Sequence, residues 1–266
     1  MAASRKTAPV AQLHPSCVPL SFEARAIEKR VGLILLATDH TTEADFARMV
    51  AGPRIGVFAT RIPYANPVTP ENLRAMQPRL QGAAALLLPE EELDVVCFSC
   101  TSASVVIGDE AVEAAIGLAK PGVPVVTPPK AAVAGLRALG ARRIAMLTPY
   151  TAGTSAPMGD YFERQGFDIS RFVCLGLEDD RDMARLSHDT LVEAAMDAFD
   201  PAADALFISC TALRSAAVAA RIEERIGKPV VTSNQATAWA CLHHCGVVPE
   251  IADAGRLMTL PMAGAA

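Results

Sequence analysis

The sequence lacks any apolar run close to the roughly 20 residues that a membrane-spanning helix needs. It also lacks an excess of positive charge, because its formal net charge is −5 at pH 7. The first absence argues against a membrane protein. The second removes the electrostatic footprint expected of a protein that binds nucleic acid.

We expect neither disulfide pairing nor a secretory signal. The 7 cysteines are an odd number in a chain of this size, so we expect reduced thiols rather than a disulfide framework. Residues 1–27 are interrupted by prolines and contain no apolar core of the kind found in signal peptides. We therefore predict a loose N-terminal arm on a cytoplasmic protein.

The main feature that is present is an internal repeat. Residues 94–101 have the sequence DVVCFSCT, and residues 204–211 have the sequence DALFISCT. Each is a short apolar run typical of a buried parallel strand, and each ends in a cysteine followed by threonine. The similarity extends to two further pairs of strand-like segments: 30–38 with 143–148, and 122–127 with 227–232.

Strand-like and helix-like segments alternate along the whole chain, which indicates parallel sheets with helices on both faces. We therefore predict an α/β fold made of two pseudo-symmetric, doubly wound parallel-sheet domains with the active site in the cleft between them. The predicted first half spans residues 28–128, joined by the C-terminal segment 235–266, and the second spans residues 129–234. The longer predicted helices cover residues 69–88, 102–119, 187–199 and 212–226.

The two repeated cysteines are the candidate catalytic residues. Cys100 and Cys210 end predicted strands, where ligands bind in such sheets, and helix N-termini there favour thiolate over thiol. If the halves are related by an approximate two-fold axis, the thiols face each other. Such a pair either moves a proton between the two faces of a carbon, or adds one sulfur to carbon while the other donates a proton. Neither mechanism needs a metal or an organic cofactor.

The residues that follow the two cysteines suit the binding of a small carboxylic acid. Thr101, Ser102 and Thr211 provide hydroxyl groups, and the free backbone N–H groups extend to Ala212. Hydroxyl and N–H donors at a helix N-terminus are typical ligands of a carboxylate. We therefore predict that these four residues bind substrate.

The other cysteines are not expected to act in catalysis. Cys97 and Cys174 lie within apolar strands and are predicted to fill the core. Cys241 and Cys245 flank two histidines, but the segment is helix-like and no second cluster of ligands complements it. The sequence therefore predicts no metal site.

Several short motifs resemble those of the aspartate/glutamate racemase superfamily: Ser-Cys-Thr at 99–101 and 209–211, Thr-Pro-Tyr at 148–150, and Ser-Asn-Gln-Ala at 233–236. Within it the chain is most similar to maleate cis–trans isomerases, arylmalonate decarboxylases and proteins encoded with ectoine-degradation genes. The resemblance covers residues 28–250. It implies a pseudo-symmetric two-domain fold, cofactor-free chemistry next to a carboxylate, and assembly into a homo-oligomer.

The resemblance also implies roles for individual residues. Cys100 corresponds to the nucleophile or first base, Cys210 to the opposing acid or base, and Tyr150 to a tyrosine that contacts a substrate carboxylate. Arylmalonate decarboxylases keep only the second of the two cysteines. The presence of both therefore favours isomerase or racemase chemistry over decarboxylation.

Two positions depart from the maleate isomerase pattern. Asp39 and Asp180 stand where those enzymes carry asparagine. An amide donates hydrogen bonds to a carboxylate, whereas an ionised aspartate only accepts them. Either the aspartates are protonated, or the substrate carries an ammonium group beside its carboxylate, or the two residues are a helix cap and part of a solvated acidic loop.

The sequence thus predicts a cofactor-independent isomerase of a small carboxylic acid, similar to maleate cis–trans isomerase. Three alternatives stay open at this point. They are an aspartate/glutamate or diamino-acid racemase in ectoine degradation, an arylmalonate-type decarboxylase, and a non-catalytic small-molecule binding protein.

Overall fold

The computed structural model describes residues 12–248, 251 and 253–262. They form two sheets of four strands, and every strand pair is parallel. The first sheet contains β1 (Lys29–Leu36), β2 (Ile55–Ile62), β3 (Val95–Phe98) and β4 (Val125–Val126). The second contains β5 (Arg143–Tyr150), β6 (Asp168–Leu177), β7 (Ala205–Ile208) and β8 (Val230–Thr232).

Eleven α-helices flank the two sheets within the described residues. Those before the second sheet are α1 (Thr42–Met49), α2 (Pro70–Arg74), α3 (Leu80–Ala85), α4 (Thr101–Ile107), α5 (Asp109–Gly117) and α6 (Pro128–Ala138). The helices that follow β5 along the chain are α7 (Ala152–Arg164), α8 (Asp180–Arg185), α9 (His188–Ala198), α10 (Ala219–Ile226) and α11 (Ser233–His244). Of these helices, none is both long and apolar enough to cross a membrane.

The two sheets have the same strand order, β2-β1-β3-β4 and β6-β5-β7-β8. The central strands β3 and β7 are buried along their whole length, which explains their continuous apolar sequence. The predicted fold of two similar parallel-sheet halves is therefore confirmed. The boundaries drawn between the halves remain predictions.

The repeat does not keep the 110-residue spacing of Cys100 and Cys210 in its first strands, a spacing that would pair Ile34 with Ile144. Ser99 donates its backbone N–H to Ile34 in the first half, and Ser209 donates to Leu147 in the second. Ile34 is thus equivalent to Leu147, not to Ile144. The paired residues are 65 positions apart in the first half (34 to 99) and 62 apart in the second (147 to 209). The first strand of the second half therefore lies three residues closer in sequence to its cysteine.

Three of the predicted long helices are interrupted for local reasons. Thr69 caps α2 as expected, accepting a hydrogen bond from the Asn72 backbone, but Pro78 has no N–H and the helix does not continue to residue 88. The predicted helix 102–119 is divided at Gly108, whose φ is +95°. The helix predicted at 212–226 begins only at Ala219, after a turn and a short 3-10 helix.

The chain ends pack differently from each other. The helix α11 is almost entirely buried against α6, α1 and β3, with Trp239 fully enclosed. The C-terminal segment returns to it, and the Leu260 carbonyl accepts a hydrogen bond from the Trp239 indole. Residues 12–27 of the predicted arm have no regular structure and are mostly exposed, and residues 1–11 lie outside the described residues.

Candidate functional site

One pocket opens at the carboxyl ends of the central strands of both sheets, and its space, including the opening to solvent, measures about 340 Å³. Eight of the nine side chains predicted to act in the site line it: Asp39, Cys100, Ser102, Tyr150, Asp180, Cys210, Thr211 and Ala212. The structure therefore brings together residues that lie far apart in the sequence. The ninth, Thr101, does not line the pocket.

Cys100 lies where β3 passes into α4. It has an extended backbone with a φ of −150°, and α4 begins at the next residue. Burial raises the pKa of the Cys100 thiol to about 12, while the Ala103 backbone N–H and the Ser102 hydroxyl act in the opposite direction. The Ser102 oxygen lies 3.9 Å from the sulfur.

Cys210 has a different backbone, with a φ of +96°. This region of conformational space is strained for any residue with a side chain. Burial raises the pKa of the Cys210 thiol to about 11, and the Tyr150 hydroxyl and the N–H groups of Ala212 and Leu213 oppose this shift. Burial therefore favours the protonated form of both thiols. The expectation that helix N-termini favour the thiolates finds no support in these shifts, because desolvation outweighs the few donors that face each sulfur.

Tyr150 lines the pocket beside Cys210 and Ser102. It is the last residue of β5 and is 3% exposed. Burial raises the pKa of Tyr150 well above its usual value, and the Cys210 thiol and the Ser102 hydroxyl also act on it. The phenol therefore stays protonated and is a hydrogen-bond donor to the pocket.

Three hydroxyl groups connect the segments that carry the cysteines. Thr101 donates to the Ser233 oxygen at 2.8 Å, and the same oxygen accepts the backbone N–H of Cys210 at 3.0 Å. In the other direction, Thr211 donates to the Ser99 carbonyl at 3.2 Å. The predicted substrate contact of the Thr101 hydroxyl is therefore not supported by its placement. The hydroxyl is directed toward Ser233, where it supports the Cys210 backbone.

Asp39 is buried beside the pocket and caps the turn that leads into α1. One carboxylate oxygen accepts the backbone N–H groups of Thr41 and Thr42, both at 2.8 Å, and the other accepts the Thr42 hydroxyl at 2.7 Å. Burial raises the pKa of Asp39, and these hydrogen bonds and the charge of Arg61 lower it. Capping this turn is therefore one role of Asp39, and the residue also lines the pocket.

Asp180 is also buried, at 6% exposure, but has fewer partners. One carboxylate oxygen accepts a hydrogen bond from Asn66 at 2.8 Å, and the other accepts one from the Thr38 hydroxyl. None of the ion pairs among the described residues includes Asp180. The prediction that it lies in a solvated acidic loop is wrong for Asp180, because α8 begins there and turns its side chain inward.

Sequence reasoning missed the residues that follow β2. Tyr64 lines the pocket, and its hydroxyl is buried without a hydrogen-bond partner among the described residues. Val68 and Leu73 add apolar surface to the same wall. The position of Tyr64 just beyond a parallel strand is a signal that the sequence contained, because ligands bind at such ends.

The remaining cysteines lie outside the pocket. Cys97 is buried as predicted and is close to Cys241. Cys174 is exposed, so the prediction of a core position was wrong, and the reason is that β6 is an edge strand of its sheet. Within the described residues, no group of three or more histidine, cysteine or acidic side chains is placed to hold a metal ion.

The fold and the pocket together define a two-domain α/β protein with a paired-cysteine site between parallel sheets. A family model for arylmalonate decarboxylase matches residues 65–258. The chain therefore belongs to the arylmalonate decarboxylase family, in agreement with the motifs identified in the sequence.

Relatives of known activity are similar over most of the chain. The maleate isomerase of Nocardia farcinica is 28% identical over 241 residues, covering 86% of this chain and 95% of that protein. The arylmalonate decarboxylase of Bordetella bronchiseptica is 29% identical over 221 residues, covering 81% and 90%. A structure of a variant Nocardia farcinica maleate cis–trans isomerase with a covalently bound succinylcysteine intermediate matches with a TM-score of 0.78 at 26% identity, covering 87% of this chain and 98% of that one.

Proposed function

We propose that the protein is a cofactor-independent cis–trans isomerase of a small unsaturated carboxylic acid, with Cys100 and Cys210 as its catalytic residues. The observation that carries this proposal is the presence of both thiols in one buried pocket, beside the hydroxyl groups of Tyr150 and Ser102. The covalent succinylcysteine in the Nocardia farcinica relative supports addition of a cysteine sulfur to an alkene carbon.

The proposed reaction begins when the Cys100 thiol releases its proton to water and becomes the thiolate. Its sulfur forms a bond to one alkene carbon, and the π electron pair moves to the neighbouring carbon, which takes the proton of the Cys210 thiol. The former double bond then rotates as a single bond. After this rotation the other hydrogen on that carbon faces Cys210, whose thiolate removes it as a proton; the double bond forms again, and the carbon–sulfur bond breaks with its electron pair returning to Cys100.

Substrate binding in this proposal uses donors rather than cations. Tyr150, Ser102 and the backbone N–H groups of Thr211 and Ala212 contact the carboxylate that lies next to the reacting carbons. The Tyr150 hydroxyl is suited to this role because burial raises the pKa of Tyr150 and so keeps its proton in place.

The test is isomerisation of maleate and of its monoamide, followed by proton NMR, with variants of each cysteine. We expect Cys100→Ser and Cys210→Ser each to lower turnover at least about 1,000-fold. Cys210→Ser should still accumulate an adduct on Cys100, seen as a mass increase of one substrate molecule, and Cys100→Ser should form none. Cys174→Ser, at an exposed thiol, is the matched control and should behave as wild type. Full activity of Cys100→Ser would refute the proposal.

A second candidate is an amino-acid racemase, and the two carboxylates in the pocket, Asp39 and Asp180, favour it because they suit an ammonium group. In deuterated water, loss of the α-proton signal of L-aspartate, L-glutamate or L-2,4-diaminobutyrate would support it. Membership of the racemase superfamily, a role in ectoine degradation, a cytoplasmic location and a homo-oligomeric assembly are proposed on the sequence alone.

A further inference from the structure

The charge of the pocket does not match a substrate with two free carboxylates. Two carboxylates, Asp39 and Asp180, line the pocket. None of the described residues that line it is a lysine, an arginine or a histidine. The nearby Arg61 donates to the carbonyls of Leu36 and Asp39 and pairs with Glu43. A dianion that enters this pocket therefore meets like charge without a cation to offset it.

The two aspartates differ in the hydrogen-bond partners and the charged groups around their carboxylates. Asp39 accepts three hydrogen bonds from its own turn and lies near the Arg61 guanidinium, whose charge acts on it. Asp180 accepts only from two neutral groups, the Asn66 amide and the Thr38 hydroxyl. Each oxygen of a carboxylate can accept two hydrogen bonds, so both oxygens of Asp180 have room for a donor from a ligand.

A second observation marks the same part of the pocket. The Tyr64 hydroxyl is buried with no hydrogen-bond partner among the described residues, although it lines the cavity. Tyr64 and Asp180 both line the pocket, and Asn66, two residues after Tyr64, donates a hydrogen bond to the Asp180 carboxylate, so the two residues lie in the same part of the site. A buried polar group without a partner is costly, and a ligand that binds both groups removes that cost.

We propose that the pocket takes an acid with a carboxylate at one end and, facing Asp180 and Tyr64, a nitrogen group that donates hydrogen bonds. The N–H groups of a carboxamide or an ammonium bind the Asp180 carboxylate, and the Tyr64 hydroxyl donates to the carboxamide oxygen where one is present. The carboxylate at the other end meets Tyr150, Ser102 and the N–H group of Ala212. This inference rests on the proposed isomerase function and narrows its substrate to a cis-alkene with one carboxylate, such as the monoamide of maleic acid.

The experiment compares maleamate with maleate as substrates and their saturated analogues, succinamate and succinate, as ligands in calorimetric titration. We expect wild type to show a kcat/KM about 100-fold higher for maleamate, and to bind succinamate more tightly than succinate, because the site repels a second carboxylate. Asp180→Asn should reverse both preferences, since an amide donates to a carboxylate. Asp182→Asn, an exposed residue of the same helix that pairs with Arg185, loses the same charge and should keep the wild-type preference.

The outcomes separate this inference from the proposed function. Faster isomerisation of maleate and tighter binding of succinate by wild type would overturn the substrate assignment and leave the isomerase intact. Tighter binding of succinamate without isomerisation of either acid would support the assignment and refute the isomerase. The wild-type comparison alone decides the substrate class if Asp180→Asn fails to fold.

Discussion

Cys100 and Cys210 follow the equivalent central strands of two sheets with the same strand order, yet their backbones differ. The φ of Cys100 is −150°, an extended value that any residue adopts, whereas the φ of Cys210 is +96°. The first is followed directly by α4, and the second by a turn and a short 3-10 helix. The two halves are thus similar scaffolds in which the two cysteines occupy different local structures.

The residues that begin the helix after the last strand of each sheet explain part of this difference. In the second half they are Ser233 and Asn234, and in the first half Pro128 and Pro129 stand at the corresponding place. Ser233 accepts the backbone N–H of Cys210, and Asn234 donates to the carbonyl of Thr211 at 2.9 Å. The prolines have no side-chain acceptor for such a contact. The second half therefore has a support for a strained cysteine that the first half lacks.

This asymmetry fits a reaction in which the two thiols do different things. A nucleophile at a helix N-terminus and a proton donor beside Tyr150 need different neighbouring groups. A perfectly symmetric site would surround both cysteines with the same groups. The three predictions below test whether the two cysteines differ as their surroundings indicate.

The largest expected effect is the pH dependence of alkylation. The thiolate is the reactive form, and burial raises the pKa of Cys100 to about 12 and that of Cys210 to about 11. A higher pKa means a smaller thiolate fraction at a given pH. We therefore expect the rate of modification by iodoacetamide to rise about tenfold per pH unit from pH 7 to 10, roughly 1,000-fold in all, with Cys210 modified faster than Cys100.

Peptide mass spectrometry of wild type separates the two cysteines, and free cysteine, with a pKa near about 8.5, is the reference that should level off within this range. A plateau near neutral pH for either site cysteine would show that its thiolate is stabilised in the empty pocket. That result would restore the expectation drawn from the sequence.

Much of this site was predictable, and the exceptions have physical reasons. Repetition and apolar strands located Cys100 and Cys210, because parallel strands bring their carboxyl ends together whatever the details of the helices. The raised pKa of each thiol was not predictable, since burial depends on the packing of both halves. The capping role of Asp39 depends on the turn at Thr41 and Thr42, and the local sequence contained that signal.

An intermediate effect is expected from Ser233→Ala. The change removes the acceptor of the Cys210 N–H and of the Thr101 hydroxyl, both of which are buried. We expect kcat to fall about 100-fold, because displacement of a catalytic group by a fraction of an ångström is costly, and the free energy of unfolding to fall by about 1–3 kcal/mol.

Steady-state kinetics distinguish a positioning role from a general loss of structure. Because Ser233 does not line the pocket, KM should stay within about twofold of wild type while kcat falls. The matched control is Ser215→Ala, at a buried serine whose hydroxyl has no partner among the described residues, and it should leave both constants unchanged. Equal effects of the two substitutions would contradict the proposed support of Cys210.

The smallest effect, and the most direct comparison of the two backbones, comes from alanine and glycine at each cysteine. At Cys210 the φ of +96° favours glycine, so Cys210→Gly should be more stable than Cys210→Ala by about 1 kcal/mol. At Cys100 the extended backbone suits both residues, and glycine gains more entropy on unfolding, so Cys100→Gly should be less stable than Cys100→Ala by about 0.5–1 kcal/mol. Urea unfolding measures all four. Because the thiol is absent from each, the lost sulfur contacts cancel within a pair and the sign of the difference reports the backbone alone. The same sign at both positions would mean that Cys210 is no more strained than Cys100.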